Sequence, residues 1–248
     1  MNDTTKVDTH SDKFSGLALS KELVSNLETL NYHAMTQVQA ESLPHILQGK
    51  DVIAQAKTGS GKTAAFGLGL LQKLEVKRFR IQSIVLCPTR ELADQVANEI
   101  RRLARSIHNI KVLTLCGGKP FGPQLGSLEH GAHIIVGTPG RVDDHIRKGT
   151  LRLDDVETLV LDEADQMLDM GFQSEVEAIL AALPMPRQTV FFSATFPSSI
   201  EAMSRSHQKN TQHVIIDTGE SGGPEIQQAS LDAEADDKLR SLHWVLEH

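Results

Sequence analysis

The chain alternates between two hydrophobic patterns. Short apolar runs occur as DVIAQA, SIVLCPT, KVLTLCG, HIIVGTP, TLVLDEAD, QTVFFSAT and HVIID. They are nearly continuous in apolar positions, which predicts strands covered on both faces. Between most of them lie longer stretches with apolar residues at helical spacing, such as KTAAFGLGLLQKLEV, TRELADQVANEIRRLARS and QSEVEAILAALP. This alternation predicts βαβ units, and so an α/β fold with a mainly parallel sheet and helices on both faces.

Polar motifs fall at one recurrent place in that pattern. AKTGSGKT follows DVIAQA, PTREL follows SIVLC, GG follows VLTLC, TPGR follows HIIVG, DEAD follows LVL, and SAT follows TVFF. Ligands of open α/β sheets bind beyond the carboxyl ends of the strands. Six strands ending in small or charged motifs therefore predict a ligand-binding edge.

A length of 248 residues allows one large α/β domain or two small ones. No apolar run approaches the roughly 18 residues of a membrane helix. The opening MNDTTKVDTHSDK has no apolar segment of the kind a signal peptide carries, so residues 1–13 are expected to form a solvated tail. Cys87 and Cys116 sit in apolar runs, as buried free thiols of a cytoplasmic protein would; a disulfide between them is the alternative. The net charge of −7 is uneven. Residues 217–248 hold eight acids and two bases, which leaves the rest of the chain close to neutral. Any nucleic-acid contact must then come from placed groups rather than from an overall field. TGESGGPE, residues 218–225, reads as a linker. Residues 226–248 read as the truncated start of a second domain, because a lone strand–helix unit cannot bury its apolar face.

The strongest chemical signal is Ala56, Lys57, Thr58, Gly59, Ser60, Gly61, Lys62 and Thr63. This is a P-loop pattern with Ala in place of the first Gly. Its glycines let backbone N–H groups and a following helix N-terminus wrap a phosphate. Lys62 is expected to reach the outer phosphates and the Thr63 hydroxyl to hold Mg2+. Asp162 and Glu163 follow an apolar run, and a carboxylate at a strand end facing a P-loop suits nucleotide–Mg2+ chemistry. Asp162 is the expected metal ligand, and Glu163 the group that orients or activates the attacking water. Lys62, Asp162 and Glu163 are thus the candidate catalytic residues.

Taken together, AKTGSGKT, PTREL, GG, TPGR, DEAD and SAT resemble, in order, the motifs of the DEAD-box RNA helicases. Upstream, YHAMTQVQ resembles that family's adenine-reading Q motif, with Met35 where Pro is usual and Asn31 where Gly is usual. The likeness covers roughly residues 14–217. It implies a RecA-like P-loop domain, with ATP and Mg2+ as cofactors. Tyr32 would stack on adenine, Gln39 would pair with its edge, and Phe14 would be the upstream aromatic supporting the motif. Pro88, Thr89, Arg90, Gly117, Gly118, Thr138, Pro139, Gly140 and Arg141 would line a path for the RNA backbone, read without regard to sequence. Asp165, Ser193 and Thr195 would couple the ATP state to the RNA state. GLGLLQ and LTLCGGKPFGPQ look most like the bacterial DbpA-type branch, whose ribosomal-RNA targeting resides in a C-terminal module absent from this sequence.

The resemblance further implies a cytoplasmic monomer whose partners are RNA and a second RecA-like domain, with no membrane partner. That second domain would supply the arginine needed for hydrolysis, since Arg240 is the only arginine after Thr218 and does not match it. Two rival readings are a different P-loop ATPase and a non-enzymatic, ATP-gated RNA clamp. Adenine selectivity separates the first, and turnover by the full-length protein the second.

Overall fold

The computed structural model describes residues 13–216 together with Asp237, Lys238, Arg240, Ser241 and His243. The chain divides into two units, Met1–Ile216 and Asp217–His248. The expected tail (Lys13 excepted), the linker and most of the expected second-domain segment lie outside the described residues.

After a single 3-10 turn at Phe14–Gly16 come two helices, α1 (Lys21–Thr29) and α2 (Gln37–Leu47). Strands and helices then alternate: β1 (Val52–Gln55), α3 (Lys62–Lys73), β2 (Ser83–Leu86), α4 (Arg90–Leu103), β3 (Val112–Leu115), α5 (Phe121–Glu129), β4 (Ile134–Gly137) and α6 (Pro139–Arg147). The series ends with β5 (Thr158–Leu161), α7 (Ala164–Asp169), α8 (Gln173–Ala182), β6 (Gln188–Ser193), α9 (Ser198–His207) and β7 (Gln212–Ile215). All seven expected strands form. They make one sheet in the order β3-β4-β2-β5-β6-β1-β7, with every pairing parallel.

The unbroken apolar runs have a direct packing consequence. Successive side chains of a strand point to opposite faces. Val52, Ala54, Val85, Val136, Val160, Val190 and Phe192 feed one core beneath α1 to α4. Ile53, Ile84, Leu86, Ile135, Leu159, Leu161 and Phe191 feed the other, beneath α6 to α9. Phe66 of α3 meets Phe192 at a centroid distance of 5.6 Å, and both are fully buried. Burying each such ring contributes about 2–3 kcal/mol. Cys87 and Cys116 are both buried and free. Among the described residues no helix is long and apolar enough to cross a membrane.

Because all strands run the same way, their carboxyl ends share one edge. The order brings β2, β3 and β4 together on one side, and β5, β6 and β1 together beside them. The motifs are thereby sorted into two neighbouring groups.

Candidate nucleotide and RNA site

The P-loop leaves β1 at Gln55 and enters α3 at Lys62. Gly61 caps α3 with φ of +93°, a left-handed conformation that favours glycine. A Cβ there would stand 2.5 Å from Gln39 Nε2. The Ala56 amide donates to Ser193 O (2.9 Å), so the loop is tied to the end of β6.

Lys62 opens α3 and points its ammonium inward. Lys62 Nζ lies 4.0 Å from Asp162 Oδ1, and both side chains are about 95% buried or more (5% and 3% exposed). Neither atom makes a hydrogen bond, and Ser60 Oγ is likewise buried without one. Buried polar groups are ordinarily satisfied, so three orphaned groups in one loop cluster mark a place built for a polar ligand. Asp162 follows β5, with its amide donating to Leu86 O at 2.9 Å. Burial pushes its carboxyl up to about 6; the Lys62 charge opposes the shift, the Glu163 charge adds to it, and a hydrogen bond from the Glu163 backbone opposes it. Glu163 is the left-handed cap of α7 (φ +56°) and accepts a hydrogen bond from Thr58 Oγ1 at 2.8 Å. A non-glycine residue in that conformation costs on the order of 1 kcal/mol, a strain often found at functional sites.

Lys62, Asp162, Glu163 and Thr58 open onto a cleft of 250 Å3. Of the expected nucleotide-binding residues, Tyr32, Thr58, Gly59, Gly61, Lys62 and Thr63 line it, with Asp162 and Glu163 at its floor. Ala56, Lys57 and Ser60 belong to the same loop without lining the cleft. Phe14 lies buried behind Tyr32, edge-on at 6.2 Å, and so supports the ring rather than the ligand. Gln39 is also buried behind the loop. Its Oε1 accepts from the Thr36 amide (3.0 Å), and its Nε2 donates to Gly61 O (3.0 Å). Here the carboxamide straps α2 to the P-loop, and both its atoms are engaged by protein.

The sequence reading missed Leu92 and Glu99 of α4, which line the cleft too. Seven residues apart, they share one helix face. That spacing, with a tyrosine needing a polar partner, was the available signal.

The coupling residues meet at the adjacent ends of β5 and β6. The Asp165 amide donates to Ser193 Oγ (3.2 Å), while the Thr195 amide and hydroxyl both donate to Asp165 Oδ2 at 2.8 Å. Burial would raise the Asp165 carboxyl, but the Thr195, Ser193 and Gln166 hydrogen bonds outweigh it and hold the carboxyl below its usual value.

The expected RNA residues gather at the ends of β2, β3 and β4. Thr89 caps α4, its Oγ1 accepting from the Leu92 amide (3.2 Å), and Arg90 is exposed beside it. Gly118 has φ of +73°, and a Cβ there would stand 2.8 Å from Arg90 Nη1. The Gly117 amide donates to Thr138 Oγ1 (3.4 Å), and Arg141 Nη1 donates to Lys119 O (3.0 Å). Pro139 and Gly140 open α6. Pro88 and Pro139 are buried, so they shape the loops, whereas Arg90, Gly117 and Gly118 are open to solvent. The exposed Arg90 guanidinium and the half-exposed Arg141, beside the open glycines 117 and 118, are suited to a phosphate backbone.

Residues 36–203 match the DEAD/DEAH box helicase family. The chain is 54% identical over 223 residues to ATP-dependent RNA helicase DbpA of Escherichia coli, covering 90% of this chain and 49% of that protein. It is 44% identical over 234 residues to DEAD-box ATP-dependent RNA helicase CshA of Bacillus cereus, covering 94% of this chain and 44% of that protein. The fold superposes on the crystal structure of a DEAD box protein from Methanococcus jannaschii with a TM-score of 0.82 at 35% identity, over 97% of this chain and 64% of that one. The chain thus spans about half the length of the curated relatives it matches. The expected RecA-like fold and DbpA-type likeness are borne out, and the chain belongs to the DEAD/DEAH-box helicase family.

Proposed function

We propose that this chain is the ATP-binding half of an ATP-dependent RNA helicase. The observation that carries the reading is the buried pair of atoms Lys62 Nζ and Asp162 Oδ1, 4.0 Å apart and neither hydrogen-bonded, beneath a P-loop cleft. An unsatisfied ammonium and an unpartnered carboxylate oxygen fit a phosphate chain and its counter-ion, respectively. Thr63 and Asp162 are the residues to hold Mg2+, which, when bound, supplies positive charge to the outer phosphate oxygens.

The chain's own groups then divide the work. Backbone N–H groups of residues 58–63 and the start of α3 receive the phosphates. Lys62 draws charge from the transferred phosphoryl group. Glu163 orients the attacking water and accepts its proton. Tyr32 receives the adenine ring, and Gln39 reads its edge once released from Thr36 and Gly61. Asp165, Ser193 and Thr195 carry the nucleotide state toward the RNA edge, because they join the DEAD segment to the end of β6.

Arg90, Gly117, Gly118, Thr138, Gly140 and Arg141 hold the backbone of single-stranded RNA without reading sequence. Residues 14–217 form the ATP-binding domain, 218–225 the linker, and 226–248 the start of a second RecA-like domain. That domain grips the remaining RNA and supplies an arginine to the transition state, an effect of about 10³ to 10⁵ in rate where such fingers act. In this reading the protein works as a cytoplasmic monomer with a role in ribosome assembly. Steady-state ATPase of the 248-residue chain, with and without RNA, tests the division of labour. Slow turnover with little RNA stimulation is expected, restored by a second domain joined in cis. Robust RNA-stimulated turnover by the chain alone would overturn it.

A further inference from the structure

Tyr32 sits in the turn between α1 and α2, just after Asn31 in its left-handed conformation (φ +61°). Stacking on a base needs only its ring, and phenylalanine would serve as well. Its hydroxyl has a different partner, donating to Glu99 Oε1 at 2.6 Å across 67 residues of sequence. The other carboxylate oxygen, Glu99 Oε2, accepts from Arg102 Nη1 at 3.3 Å. Arg102 in turn lies 5.6 Å from the Tyr32 ring centroid, and its Nη2 donates to Leu30 O (3.4 Å). Tyr32, Glu99 and Arg102 thus form a closed triangle, with Phe14 edge-on to the ring. Glu99 itself lines the cleft beside Tyr32.

We propose that Glu99 is a positioning residue for nucleotide selection: its carboxylate fixes the Tyr32 ring in the orientation that receives an adenine base. The proposal rests on reading the cleft as an adenine-nucleotide site. Its physical basis is preorganisation. A phenol–carboxylate hydrogen bond is charge-assisted and short. It freezes a loop side chain before the nucleotide arrives, so the entropy of ordering the ring is not charged against binding. Glu99 Oε1, through the Tyr32 hydroxyl, and Arg102 Nη2, through Leu30 O, also tie α4 to the segment that carries Tyr32. Consistent with a tightly held phenol, burial first, and then the Glu99 hydrogen bond and charge, push the Tyr32 hydroxyl up to about 12, with Arg102 opposing.

The chain has a single tyrosine, so this group has its own spectroscopic signal. Calorimetry with ADP and with GDP is run on the unmutated chain, Glu99→Ala, Glu99→Gln, Tyr32→Phe and the double variant Tyr32→Phe/Glu99→Ala. Glu99→Ala is expected to weaken ADP by about tenfold, the scale of a hydrogen bond to a charged group, and to leave GDP nearly unchanged. Glu99→Gln, which still accepts the phenol, is expected to recover most of the loss. In the Tyr32→Phe background, Glu99→Ala is expected to add nothing. Ultraviolet titration is expected to move the tyrosine midpoint down from about 12 in Glu99→Ala. The proposal is overturned if Glu99→Ala leaves ADP affinity intact, or weakens it equally with and without the Tyr32 hydroxyl. If the unmutated chain binds ADP and GDP equally, the adenine-site reading itself fails; clear ADP preference with an inert Glu99 removes this proposal alone.

Discussion

Thr195 gives both its amide and its hydroxyl to one oxygen of Asp165, each at 2.8 Å. The two residues lie 30 positions apart, at the ends of adjacent strands β5 and β6. Thr195→Val keeps the shape and the amide bond but removes the hydroxyl. Chemical denaturation is expected to show a loss of ~1 kcal/mol near neutral pH. Asp165 titrates below its usual 3.8 in the fold, so this stabilisation is present above that value and is lost as the pH falls through the lower folded one. The difference between the two proteins should therefore shrink in acid. In the chain joined to a second domain, Thr195→Val should bind ATP normally and lose RNA-stimulated turnover.

Gln39 is expected to act twice. Its carboxamide holds the P-loop through Gly61 O and, once released, reads the adenine edge. Gln39→Ala should lower the free energy of unfolding by ~1–2 kcal/mol, for a buried bond left unmade. It should also narrow the gap between ADP and GDP affinity more than it weakens GDP itself. Gly61→Ala forces a Cβ to within 2.5 Å of Gln39 Nε2 and into a left-handed conformation, so it should abolish tight binding of both nucleotides.

His145 gives the clearest pH dependence near the RNA edge. It is fully buried, stacks on Phe121 at a centroid distance of 4.1 Å, and has Nδ1 2.8 Å from Thr150 Oγ1. Burial, then the charges of Arg141 and Lys148, push its pKa down from 6.5 to about 4. The unfolded chain binds this proton more readily than the folded one. Stability owed to the neutral ring is thus complete above pH 6.5 and is lost as the pH falls through about 4. Thermal unfolding of the chain and of His145→Gln should converge in acid, by on the order of 2–3 kcal/mol over that window. Parallel pH profiles would contradict this.

Much of this was legible in the sequence. All seven strands were, because runs such as TLVL and TVFF are apolar on both faces, rich in β-branched or aromatic residues and too short for buried helices. The P-loop and the DEAD carboxylates were legible because their chemistry is local in sequence. The strand order was not, since pairing β2 with β4 and β5 is decided by tertiary packing. Nor was the part played by Glu99, whose partner Tyr32 lies 67 residues away. The Q motif announced Gln39 as a base reader, yet the sequence could not reveal that Thr36 and Gly61 engage its carboxamide. Nor could it reveal that strand-end packing buries Pro88 and Pro139.

Glu163, held by Thr58 beside Asp162, is the residue proposed to activate the attacking water. The direct measurement compares Glu163→Gln with the unmutated protein, each joined to a second RecA-like domain, in ATP binding, RNA binding and single-turnover hydrolysis. Glutamine keeps the Thr58 contact but cannot accept the proton. The variant is expected to bind ATP and RNA as well as the unmutated protein and to hydrolyse ATP at least ~10²-fold more slowly. Hydrolysis at an undiminished rate would contradict that role.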